Sequence, residues 1–65
     1  MNSAGFQAFL MLLAAIDKTL SYSKFVIRIE LADDTEIRRA CDECIQKGVS
    51  FKVVGDYITL YRGDR

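Results

Sequence analysis

The sequence predicts an α+β fold: a two-layer α/β sandwich of element order α-β-α-β-β. Its three-stranded sheet carries both helices on one face and ends in a C-terminal β-hairpin. Three observations carry this expectation. Apolar residues recur every three or four positions from Phe6 to Leu20 and again from Ile37 to Ile45. They alternate with polar ones from Lys24 to Leu31. Gly55-Asp56 then separates two alternating runs whose apolar residues fall opposite one another.

The first helix is expected over Phe6 to Leu20, with Phe6, Phe9, Leu10, Leu13, Ile16 and Leu20 along one stripe. Leu, Met, Ala and Gln favour helix, and no Gly or Pro interrupts after Gly5. Asn2 or Ser3 stands where a cap is needed, and Asp17, Lys18 and Thr19 make the only polar turn. A second set, Ala8, Met11, Leu12 and Ala15, points away from the stripe, where a surface helix ordinarily carries charge. No Lys or Arg precedes the run, so a signal peptide is not expected. Ala8 to Ile16 gives nine uninterrupted apolar residues, against the roughly 20 that a bilayer span needs. The second set is therefore either covered by another layer of the same domain or held against another chain. A core of this size supplies only about 3–5 kcal/mol, which favours the latter. Ala8, Met11, Leu12 and Ala15 are the expected homodimer interface.

After the break at Ser21 to Ser23, Lys24 to Leu31 reads as a half-buried strand. Phe25, Ile27, Ile29 and Leu31 share one face, and Lys24, Val26, Arg28 and Glu30 the other. The second helix follows from Asp33, an N-cap, with Glu36 three residues on in the capping-box position. Asp34 and Glu36 suit the positive end of the helix dipole. Ile37, Ala40, Cys41, Cys44 and Ile45 form its apolar face. Arg38–Asp42, Arg39–Glu43 and Glu43–Lys47 are spaced for exposed ion pairs, and Gly48 ends the helix. In the hairpin, Gly first in a two-residue loop suits a type II′ turn. The register that keeps apolar residues together opposes Val53 to Ile58, Phe51 to Leu60 and Val49 to Arg62. The strongly β-forming Ile58-Thr59-Leu60 centre suits the middle of the sheet.

Sixty-five residues make one small domain over 1–65, with 1–5 and 63–65 as flexible ends. Half of them are apolar, 51%, so a packed core rather than disorder is expected. Nine basic and nine acidic residues cancel, which argues against binding nucleic acid by bulk charge alone. With two cysteines and no targeting segment, the chain is read as cytoplasmic.

Candidate chemistry is sparse. Cys41-Asp42-Glu43-Cys44 is a CxxC string, but redox pairs sit at a helix start where the dipole lowers a thiol pKa. Here the pair lies two turns in, on the core-facing stripe. A zinc site needs two more ligands, and the chain has no His,. Absence of His also leaves no ordinary Ser-His or Cys-His nucleophile. Capping already explains Asp33, Asp34 and Glu36. No catalytic residue, metal or cofactor is therefore expected, and the chain is not expected to be an enzyme.

The open face of the sheet is the candidate site. Val26, Arg28, Lys52, Val54, Tyr57, Thr59 and Tyr61 share it, with Lys24 and Arg62 at its margins. Tyrosines beside Arg and Lys suit protein interfaces, and they also suit stacking with single-stranded nucleic acid. Plain strand-forming surface is the third reading. Arg28, Lys52, Val54, Tyr57, Thr59 and Tyr61 are the expected partner-binding residues. The partner would be a larger protein, with nucleic acid as the alternative and no membrane. Short αβαββ chains without catalytic residues are frequent among phage and mobile-element accessory proteins that block or redirect a host protein. That is an analogy of size and type.

Overall fold

The computed structural model describes residues 2–18 and 24–63, with residues 17 and 18 by their backbone alone. Met1, residues 19–23, among them Leu20 and the expected break at Ser21 to Ser23, and residues 64–65 lie outside the described residues. The elements are α1 (Ala4–Lys18), β1 (Phe25–Glu30), α2 (Asp34–Lys47), β2 (Ser50–Val54) and β3 (Tyr57–Arg62). The sheet order is β1-β3-β2, with β3 in the middle and antiparallel to both neighbours. The hairpin register is the expected one through Val53↔Ile58 and Phe51↔Leu60. Gly55 has φ 59° while Asp56 has negative φ, as a II′ turn requires,. Leu31 N–H donates to Asp56 O at 2.8 Å, tying this turn to the end of β1.

Both helices lie on the Ile58 and Leu60 face of the sheet. The core joins Phe6, Phe9, Leu13 and Ile16 of α1 to Ala40 and Cys44 of α2, with Leu31, Val49, Ile58 and Leu60. Phe6 and Phe9 sit with ring centroids 5.6 Å apart. This is the two-layer arrangement the patterns imply, with several residues placed differently.

The largest difference concerns Glu36. Half of the capping box forms as expected: Asp33 Oδ1 accepts from Glu36 N–H at 3.0 Å. The Glu36 carboxylate does not return to the Asp33 N–H. It turns inward, is buried, and reaches the start of α1. Oε2 accepts from Ser3 N–H at 2.7 Å, and Oε1 from Ser3 Oγ at 2.7 Å and Ala32 N–H at 3.0 Å. Ser3 is the cap of α1, its Oγ accepting from Phe6 N–H at 3.1 Å. Glu36 thus does for α1 what a capping-box carboxylate does within its own helix. Its charge lies at the positive ends of both helices. The hydrogen bonds from the Ser3 side chain, then from the Ser3 and Ala32 main chain, hold its carboxyl below the usual glutamate pKa.

Turning Glu36 inward rotates α2. The buried stripe becomes Glu36, Ala40 and Cys44, with Ile37 packed at its edge. Ile45, expected in the core, is 67% exposed, and Cys41 is half-buried. Arg39, expected to pair with Glu43, donates to Asn2 Oδ1 at 2.9 Å and lies 4.6 Å from the Phe6 ring centroid. On α1, Leu10 leaves the expected stripe and is exposed, while Leu12 packs partly against the core. Val53 keeps its expected side but is exposed, because β2 is an edge strand. The expected Val49↔Arg62 pair is also absent from the ladder, which stops at Ser50↔Tyr61. Val49 N–H is engaged elsewhere, donating to Cys44 O at 2.9 Å. Together with Gly48 N–H on Ile45 O at 3.2 Å it closes the Schellman cap of α2,.

Asn2 to Gly5, read from the sequence as part of a loose end, carry these joints. Gly5 completes them by close approach: a Cβ there would stand 2.1 Å from Glu30 O, the last carbonyl of β1. Only glycine lets α1 lie this close to the sheet.

Two outcomes test this account. Gly5→Ala forces α1 off β1 and is expected to destabilise by about 1–3 kcal/mol, the usual cost of overpacking, read as a lowered urea midpoint. An unchanged midpoint would show that the approach is not structural. For Glu36, the lowered folded pKa means that its contribution is complete above the unfolded glutamate pKa of about 4.3. It is lost as pH falls through the lowered folded value,. Glu36→Gln, which also sets an amide donor against Ser3 N–H, is expected to be less stable than the parent at pH 7. That gap should close on acidification. A gap independent of pH would mean that the carboxylate is not held ionised.

Candidate functional site

The face of the sheet away from the helices is not covered by any described element. Alternation along each strand and the register of the ladder arrange it in three rows. Val26, Tyr61 and Ser50 form the first, Arg28, Thr59 and Lys52 the central one, and Glu30, Tyr57 and Val54 the third. Val26 and Val54 are 76% and 69% exposed, and both tyrosines are exposed as well. Thr59, flanked on both sides in the middle strand, is half-buried.

Side chains of neighbouring rows interact. The Arg28 guanidinium lies 4.5 Å from the Tyr57 ring centroid, a cation–π contact between adjacent rows,. A shallow depression of about 200 Å³ opens beside the central row, lined by Val26, Lys52, Thr59, Tyr61, Arg62 and Gly63. The structure thus brings together on one face the six residues expected from the sequence, Arg28, Lys52, Val54, Tyr57, Thr59 and Tyr61. Val26, left out of that six although it shares their alternation, is the most exposed large apolar side chain on the face. Arg62 belongs mainly to the other side: it pairs with Phe25, and its guanidinium lies 5.8 Å from that ring.

The outer face of α1 is the second candidate. Ala8 is exposed and Met11 is 74% exposed, while Ala15 is half-buried. Leu12, assigned to the same set, is divided between this face and the core.

The CxxC pair has the opposite electrostatics from a redox site. Burial, then the neighbouring Cys41 and Glu43, pushes the Cys44 thiol up to about 11, and burial and Asp42 raise Cys41. Both are protonated at neutral pH and therefore poor nucleophiles. Among the described residues, no three His, Cys, Asp or Glu side chains are grouped to hold a metal ion. No helix among them is long and apolar enough to cross a membrane.

No family model matches this chain, and no curated protein or solved structure is significantly similar to it.

The two neighbouring residues of α1 give a test. Met11→Glu alters a side chain exposed in the single chain and, at concentrations where the chain is monomeric, should leave folding stability within about 0.5 kcal/mol of the parent. Leu12→Glu places a charge at the core margin and should cost considerably more. Should the two variants lose the same stability in urea titrations, the division of this helix into inner and outer faces would be wrong.

Proposed function

We propose that this chain is a non-enzymatic protein-binding module that acts sterically, occupying a surface of a larger protein with its open sheet face. The observation that carries this reading is the two valines, 76% and 69% exposed, each in register with an exposed tyrosine on a face that no other described element covers. Isolated exposed apolar residues need no explanation, but here a valine–tyrosine pair stands on either side of the Arg28–Thr59–Lys52 row. Inhibition or redirection of a host protein, as by phage and mobile-element accessory proteins, is the form of action that suits a chain of this size. A homodimer through the outer face of α1, with Met11 between Ala8 and Ala15, would leave the sheet face free for the target.

Magnitudes limit what the apolar patch can do alone. Covering Val26, Val54 and the free parts of Tyr57 and Tyr61 is worth about 1–2 kcal/mol each. Association costs about 4–15 kcal/mol in lost freedom. Apolar contact roughly breaks even, so recognition has to come from the polar groups among it.

The alternative is a nucleic-acid-binding module on the same face, favoured by Arg28 and Lys52 bracketing Thr59 in the central row. Affinity purification from lysate, with and without nuclease, separates the two. A protein retained in stoichiometric amount after nuclease is expected. It should be lost with Tyr57→Ala/Tyr61→Ala while the variant still melts cooperatively. Retention by that folded variant would remove the sheet face as the site, and bound material that vanishes with nuclease would favour the alternative.

A further inference from the structure

We infer that the open sheet face takes an acidic segment, one in which a carboxylate stands beside a large apolar side chain. This rests on the protein-binding reading of that face and names the chemistry of its partner. The chain as a whole is neutral, but its charge is unevenly placed. Alternation along β1 and β2 puts Arg28 and Lys52 on the open side, against Glu30 among the described strand residues. In the central row, Arg28 and Lys52 stand on either side of Thr59, both paired to it in the ladder. Neighbouring strands are about 4.8 Å apart, so the two long basic side chains rise from either side of Thr59. A carboxylate above Thr59 is within reach of both of them and of the hydroxyl. The Arg28 head group is already steadied by the Tyr57 ring at 4.5 Å, so less freedom is lost when it takes up an anion.

The next row supplies the apolar half. Val26 and Tyr61 wall the depression, whose other lining includes Lys52 and Thr59 of the central row. Rows on one face are two residues apart along a strand, about 7 Å. The partner therefore presents its carboxylate and its apolar side chain about 7 Å apart, a spacing that an i,i+2 pair on an extended segment provides. Charge complementarity and the adjoining depression together identify the occupant.

A phosphate could occupy the carboxylate position, but the surroundings favour a protein. One face of the Tyr57 ring is taken by Arg28 and so is closed to a base. Glu30 lies in the same row as Tyr57. The two most exposed large apolar side chains on the face are valines, which offer no stacking surface.

The test is selection of a random linear-peptide library against the intact chain, followed by anisotropy titration of the selected synthetic peptides. Wild type is expected to enrich peptides with Asp or Glu close to a large apolar residue. Arg28→Gln/Lys52→Gln should weaken them about tenfold, the scale of two exposed charge contacts. Arg28→Glu/Lys52→Glu should shift enrichment toward Lys and Arg. Cooperative melting of each variant shows that it is folded. Peptides without acidic bias that are lost with Val26→Asn/Tyr61→Ala would keep the face as a protein site and overturn the acidic partner. Peptides indifferent to every variant would overturn both readings, as would a selection that enriches nothing. Tighter binding of a single-stranded oligothymidylate, falling steeply with salt, would overturn them in favour of nucleic acid.

Discussion

The carboxylate of Glu36 joins the two helices of this protein at their starting ends. It accepts three hydrogen bonds, two from Ser3 and one from Ala32, and lies buried between the first turns of α1 and α2. A buried carboxylate is destabilising unless its lone pairs are satisfied. Here the donors are main-chain and hydroxyl groups that would otherwise be orphans at helix N-termini. One charge therefore solves two capping problems and fixes the angle at which α1 meets α2. Gly5, in the first turn of α1, lets that helix descend onto the Glu30 carbonyl. Leu31 N–H on Asp56 O brings the hairpin turn to the same end of the molecule.

The sheet face depends on that joint indirectly. With both helices pinned to one side, the ladder presents Val26, Arg28, Tyr57, Thr59, Tyr61 and Lys52 together on the other. The rotation of α2 that buries Glu36 also pushes Ile45 into solvent, so the helical layer carries exposed apolar positions of its own at Leu10, Met11 and Ile45. These are scattered over two helices. The sheet face differs in holding its exposed apolar side chains and its cations in adjacent rows.

Much of this was legible from residues alone. Alternation from Phe25 to Glu30 fixed which side chains face out. The Gly55-Asp56 turn and its flanking pattern set the hairpin register, because a slip of one residue would turn every apolar side chain outward. The Asp33 cap and the Gly48 stop bounded α2. Periodicity was less informative about rotation. A stripe of apolar residues states that a helix has a buried side, but its breadth left Leu10, Leu12, Cys41 and Ile45 near the boundary, and neighbouring elements decided each one. The Arg28–Tyr57 contact and the depression beside Tyr61 likewise depend on side chains from different strands and rows.

The sequence by itself determined the element order, the α+β class, the composition of the open face and the pairing of the hairpin. All of these follow from local periodicity and turn chemistry. Only the tertiary structure decided where Glu36 points. Its spacing from Asp33 describes a capping box within one helix, and the local pattern contains nothing about Ser3, thirty-three residues away. A hydrogen-bonding carboxylate takes whichever donors the fold brings to it, and that choice is made by packing between elements.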